Sequence, residues 1–176
     1  MKKHVFILGF VFTLCLSCQN VVFAQEQNAD ANKTITEIGV LVNSQKYQIA
    51  MTKCNTAIQK YPNEAFLYYW RGTIYNSMGD NQRAIEDFNK SIELDANNAK
   101  AYVLRGICKA DLEDKEGALE DYNKAIELSP NDGTAYSMRA MVRLDLGDMA
   151  GADKDLDTSN KLMNSKDDKG ESKKGK

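Results

Sequence analysis

Gly72 returns 34 residues later as Gly106 and, after the same step, as the small Ala140, while Ala50, Ala84, Ala118 and Ala152 advance in the same stride. A period of that length marks one supersecondary unit copied along a chain, each copy too small to bury its own apolar face and so obliged to stack on the next. Such a chain folds as a row and not as a ball. With no insertion between copies, the anchors divide it into units at 31–64, 65–98, 99–132 and 133–163. Set beneath one another, the second and third units agree at Tyr68/Tyr102, Arg71/Arg105, Gly72/Gly106, Ala84/Ala118, Phe88/Tyr122, Ile92/Ile126 and Leu94/Leu128.

Numbering each unit from station one, the chain places an aromatic at station four, Gly at eight, Ala at twenty, an aromatic at twenty-four and, in two units, a proline (Pro62, Pro130) at thirty-two. This pattern resembles the tetratricopeptide repeat over 31–163. The resemblance implies an all-α, right-handed superhelical solenoid of antiparallel helix pairs. Eight helices are expected, with turns near Gln45, Gly79, Asp114 and Gly147. The stations have physical sense: Gly72 and Gly106 let two helices approach, Ala84 and Ala118 do so from the facing helix, and Phe88 and Tyr122 fill the space beside them. The prolines stand where one helix stops and the next begins. The first unit diverges, with Thr34, Ile38 and Cys54 at the first aromatic, Gly and second aromatic stations, as a terminal repeat with one neighbour can.

A charged pair also recurs. Station seven carries Arg71, Arg105 and Arg139, where the tetratricopeptide pattern has Leu, and station twenty-three carries Asp87, Asp121 and Asp155. In the first unit both signs reverse, to Glu37 and Lys53. An antiparallel hairpin sets these stations level, so an ion pair within each unit is expected; pairing across units would set Lys53 against Arg71. Such a pair seats the two helices against each other.

The ends read differently. Residues 1–24 have the form of a signal peptide, with Lys2 and Lys3 ahead of an apolar run from Val5 to Leu16 that is too short for a stable membrane span. Two processing readings stand: cleavage after Ala24, releasing a soluble product, or a lipoprotein signal at 1–17 with Cys18 lipidated. Both predict an exported protein of the bacterial periplasm or cell envelope, touching membrane only through a lipid at Cys18. Residues 25–30 read as a linker and 164–176 as a disordered charged tail. Loss of Lys2 and Lys3 makes the net charge of −2 more negative by two, and no unit supplies the concentrated basic face that nucleic acid requires. Cys54 and Cys108 lie in units that do not touch in a solenoid, so free buried thiols are expected.

Chemistry is sparse. The one histidine, His4, lies in the signal segment, which leaves no imidazole for base catalysis or metal ligation. Asp153, Asp155 and Asp157 alternate like the start of a calcium loop, but Thr158 and Asn164 stand where Gly and Glu are needed. Trp70 is expected between helices. No cofactor, metal or catalytic residue is expected, and the chain reads as a scaffold and not an enzyme. By the resemblance, the concave groove is lined by stations two, five, nine, twelve and thirteen of each first helix. Those positions are Phe66, Tyr69, Thr73, Asn76 and Ser77; Lys100, Val103, Ile107, Ala110 and Asp111; and Thr134, Ser137, Met141, Leu144 and Asp145. Tyr69, Val103, Ile107 and Met141 are expected to form its apolar centre and carry most of the binding energy for a protein or peptide partner. Relatives that clamp a chaperone's terminal carboxylate use Lys and Asn where this chain has Tyr69, Thr73, Val103 and Ile107, which argues against that ligand. A structural role is the second reading: no capping helix is evident after Leu162, so the apolar end of the last unit offers a surface for self-association.

Overall fold

The computed structural model describes residues 29–171. The signal segment, both processing sites and most of the expected linker lie outside that range. Among the described residues there are eight helices and no strand: α1 (29–43), α2 (Tyr47–Lys60), α3 (Ala65–Ser77), α4 (Asn81–Leu94), α5 (Ala99–Asp111), α6 (Lys115–Leu128), α7 (Gly133–Asp145) and α8 (Met149–Glu171). They form four antiparallel pairs, and each second helix then packs on the first helix of the next pair.

Local chemistry fixes the ends of these helices. Each first helix closes on a residue with positive φ: Gln45 (58°), Gly79 (79°), Glu113 (64°) and Gly147 (82°). That left-handed residue ends one helix and aims the chain into the next. Asp80, Asp114 and Asp148 then cap α4, α6 and α8 by accepting from the backbone N–H of Arg83, Gly117 and Gly151, and Asn98 and Asp132 do the same for α5 and α7. Each such cap contributes about 1 kcal/mol.

Close packing explains the period. A Cβ added at Gly72 would lie 2.9 Å from the Phe88 ring, and one at Gly106 would lie 2.7 Å from the Tyr122 ring. Each aromatic therefore rests directly on the backbone of its own first helix, where burial of such a ring stabilises by roughly 1.5–3 kcal/mol. The first unit reaches the same density with the sizes exchanged. Ile38 replaces the glycine and Cys54 the aromatic, and both are fully buried in one cluster with Ala50, Leu67 and Ile74. Gly39, one residue on, leaves room for Trp70, whose ring would sit 2.8 Å from a Cβ there; Trp70 packs between units, as expected.

The predicted ion pairs form. Arg71 Nε donates to Asp87 at 2.7 Å, Arg105 Nε to Asp121 at 2.9 Å and Arg139 Nε to Asp155 at 2.8 Å. In each case a second nitrogen reaches the other carboxylate oxygen. The reversed pair forms too, with Lys53 Nζ 2.6 Å from Glu37. Each guanidinium does more than expected from sequence. Its third nitrogen crosses to the preceding unit and donates to Asn55, Asn89 or Asn123 at 3.1, 2.7 and 2.6 Å, while Tyr68, Tyr102 or Tyr136 stacks against it. One arginine thus joins its own hairpin and ties that hairpin to its neighbour. Asp155 is committed to Arg139 and Arg143 and is not a calcium ligand. Among the described residues no cluster of acidic, Cys or His side chains could hold a metal. Cys54 and Cys108 are free and buried, as expected.

Two boundaries need correction. Residues 29 and 30 are already helical and not linker, with Asp30 bonded to Lys60 at the end of α2 and to Tyr61 just after it. The expected disordered tail is also wrong as far as Glu171, because α8 continues there. A polar segment without proline needs no core to prolong an existing helix, since nucleation is the costly step and propagation is not.

Candidate functional site

The concave side can be located from which helices touch. First helices of successive pairs approach each other directly, α3 with α5 and α5 with α7, whereas α4, α6 and α8 do not meet one another. A row whose first helices are closer than its second helices curves toward the first, so α3, α5 and α7 line the inner surface.

The expected site residues divide along this surface. Phe66 and Met141 stand open, 45% and 50% exposed, and Leu144 is exposed beside Met141. Lys100 is exposed between them on α5. Thr73, Asn76 and Ser137 are partly covered and already bonded: Thr73 Oγ1 donates to the Tyr69 carbonyl at 2.8 Å, Ser137 Oγ to the Thr134 carbonyl at 2.9 Å, and Asn76 Nδ2 to Asn81 Oδ1 at 3.0 Å. Asn76 also reaches the Cys108 sulfur at 3.3 Å, which ties the second unit to the third. Asp111 accepts from Asn81 at 3.1 Å, and Asp145 lies 3.6 Å from Lys115, so these rim carboxylates also join neighbouring units.

The expected apolar centre is corrected in part. Val103 is 8% exposed and belongs to the core with Tyr102, Ala118 and Tyr122, so it offers nothing to a partner. Ile107 and Ala110 pack against the same cluster and present only an edge. Tyr69 is half-buried. Its ring meets Trp70 edge-on at 5.1 Å and Phe66 at 6.1 Å and lies 6.2 Å from Phe88, and burial pushes its phenol pKa upward against a bond to Thr73. The reason is geometric. Helix α5 stands between α3 and α7 and touches both, so stations five and nine of the third unit are covered from two sides. What remains open is two apolar points, the Phe66/Tyr69 edge on α3 and Met141/Leu144 on α7, with Lys100 between.

Two open clefts, of about 220 and 320 Å³, lie instead on the first unit, one lined by Asp30, Thr52, Thr56 and Lys60 and the other by Thr36, Val40 and Lys53.

The tetratricopeptide repeat model matches residues 65–98 and 99–132, the second and third units. Human "Tetratricopeptide repeat protein 16" is 33% identical over 66 residues, which is 38% of this chain and 8% of that protein. The chain therefore spans less than a tenth of that relative's length. Among solved structures, the crystal structure of MamA superposes with a TM-score of 0.70 at 19% identity, covering 85% of this chain and 86% of that one. The first TPR of Spaghetti (RPAP3) bound to HSP90 peptide SRMEEVD superposes with a TM-score of 0.63 at 24% identity, covering 66% of this chain and 93% of that one. The fold is that of a tetratricopeptide-type solenoid.

Proposed function

We propose that this chain is a non-catalytic scaffold that holds an extended segment of a partner protein on its concave face, in the bacterial cell envelope. The observation that carries the reading is the exposure of Phe66, Met141 and Leu144 on α3 and α7, where the other large apolar side chains are buried or half-buried. Helices in contact lie 8–10 Å apart, so α3 and α7 stand on the order of 20 Å from each other. About six extended residues cover that span. The partner segment accordingly presents two apolar side chains about six residues apart, with a carbonyl or carboxylate between them for Lys100. The peptide bound in the Spaghetti structure supports a peptide as the class of ligand. Its acidic sequence does not carry over, because here Asp111 and Asp145 rim the face.

The envelope location rests on the sequence of residues 1–24 alone, and is tested by intact-mass measurement on protein from its native cell. A mature chain beginning at Gln25 means a soluble product; one beginning at a lipidated Cys18 means a membrane-anchored one. The groove is tested by comparing Phe66→Asp and Met141→Asp with the control Leu112→Asp, an exposed apolar residue at a turn. Both groove variants are expected to lose the partner while keeping the melting temperature, and the control to retain it. Retention by both groove variants would refute the site.

A further inference from the structure

In the last unit the outer face of α8 departs from its counterparts in a way that points to a specific contact. Station seventeen is Tyr47, Asn81 and Lys115 in the first three units and station thirty-one is Tyr61, Asp95 and Ser129; on α8 these positions are Met149 and Met163. Between them, station twenty-four is buried in every earlier unit as Cys54, Phe88 and Tyr122, yet Leu156 is 37% exposed. Met149 and Met163 are 61% and 43% exposed. A last helix selected only to meet water would carry polar residues at these places; relative to the second and third units, α8 exchanges polar for apolar at two of them. Residues 164–176 carry no apolar side chain.

The spacing is symmetric about Leu156. Met149 and Met163 are each seven residues away, two helical turns, so the three side chains make one stripe about 21 Å long. Run antiparallel against itself, the stripe sets Leu156 on Leu156 and each Met149 on the other copy's Met163, and it sets Asp153 beside Asn160, a neutral acceptor or donor. Head-to-tail stacking, which would continue the solenoid, meets an obstacle instead. At each internal junction the station-seven arginine donates to the station-twenty-five asparagine of the preceding unit. The free ends carry Glu37 at the first position and Asp157 at the second. Stacked in register, two carboxylates would face each other where the interior has a hydrogen bond. In the antiparallel pairing Asp157 lies about 100° round the helix from Leu156 and off the seam.

We infer that α8 pairs two copies of this chain antiparallel about a two-fold axis at Leu156, closing the array as a dimer and leaving the concave face open in each copy. A closed two-fold contact also stops growth into filaments, which a heterologous end-to-end contact would permit. The seam is small against a standard interface, so the dimer is weak, with a dissociation constant on the order of 10–100 μM.

Sedimentation equilibrium of the purified protein is expected to show monomer and dimer and nothing larger, with Leu156→Glu weakening the dimer at least about tenfold at an unchanged melting temperature. Met163→Lys is the second variant, expected to act in the same way should Leu156→Glu disturb folding. Cysteine pairing gives the orientation, since buried Cys54 and Cys108 do not compete. Leu156→Cys is expected to link to itself, and Met149→Cys to link to Met163→Cys in a mixture. Four results would overturn the inference: monomer at every concentration; Met149→Cys linking efficiently to itself; Val40→Cys linking to Leu156→Cys; or growth beyond the dimer that Asp157→Asn strengthens.

Discussion

Removing the station-seven arginine should cost different amounts in different units, although the three ion pairs look alike in sequence. The Asp87 side chain is 8% exposed, and among the described residues its one ion-pair partner is Arg71. Asp121 has a second cation in Lys109, whose Nζ lies 3.0 Å away, and Asp155 has Arg143 at 2.9 Å. The difference arises at station eleven, which is Tyr75 in the second unit and Lys109 or Arg143 in the next two. Arg71→Ala therefore strands a buried carboxylate and is expected to destabilise by about 3–5 kcal/mol. Arg105→Ala and Arg139→Ala leave the carboxylate paired with a second cation and should cost less, about 1.5–2 kcal/mol. Urea denaturation followed by circular dichroism at 222 nm reads these values, with the slope m checked for constancy because repeat arrays can lose cooperativity. A second set of variants sharpens the comparison: Lys109→Met alone should be mild, and Arg105→Ala with Lys109→Met should approach the Arg71→Ala loss. Equal losses at Arg71 and Arg105, or a larger one at Arg105, would refute the reasoning.

Three further outcomes are expected. Gly106→Ala should destabilise by about 1–3 kcal/mol despite the better helix propensity of alanine, because its Cβ meets the Tyr122 ring; a melting temperature at or above that of the parent would contradict the packing. Burial pushes the Cys54 thiol up to about 12 and the Cys108 thiol up to about 11 from an ordinary 9.0. Their ionisation in the unfolded chain then favours unfolding, so the stability due to the neutral thiols is present below pH 9 and falls as pH rises through 9 toward 11; stability that rises over this window in Cys54→Ala/Cys108→Ala relative to parent confirms the sign, and an unchanged difference contradicts it. At pH 8 a thiol reagent should modify both residues only as fast as the chain opens, and immediate labelling would show that they are not enclosed.

Much of this fold was legible because its determinants are local and repeated. The 34-residue step, the Gly and aromatic stations and the sign reversal at Glu37 and Lys53 are readable without coordinates, and each corresponds to a contact. The link from Arg71, Arg105 and Arg139 to Asn55, Asn89 and Asn123 was also available, since those asparagines recur with the same step; a search for charges alone passes over them. The groove was less legible. Station numbers place a residue on a helix face, but whether it sinks depends on how closely that helix approaches its neighbours, and Val103 went into the core with α5. Ile38 and Cys54 exchange sizes at the usual stations, and Trp70 and Gly39 fit each other off them, so both compensations emerge only when the volumes are set side by side.

The central claim, that partners are held on the inner curve, is tested most directly by photo-crosslinking in the native cell. A photoreactive residue replaces Phe66 or Met141 on the first helices, or Glu86 or Glu120, exposed on the second helices. The account predicts one adduct of common mass from positions 66 and 141 and none from 86 and 120. Adducts from 86 and 120 without any from 66 and 141 would place the partner on the outer surface and contradict it.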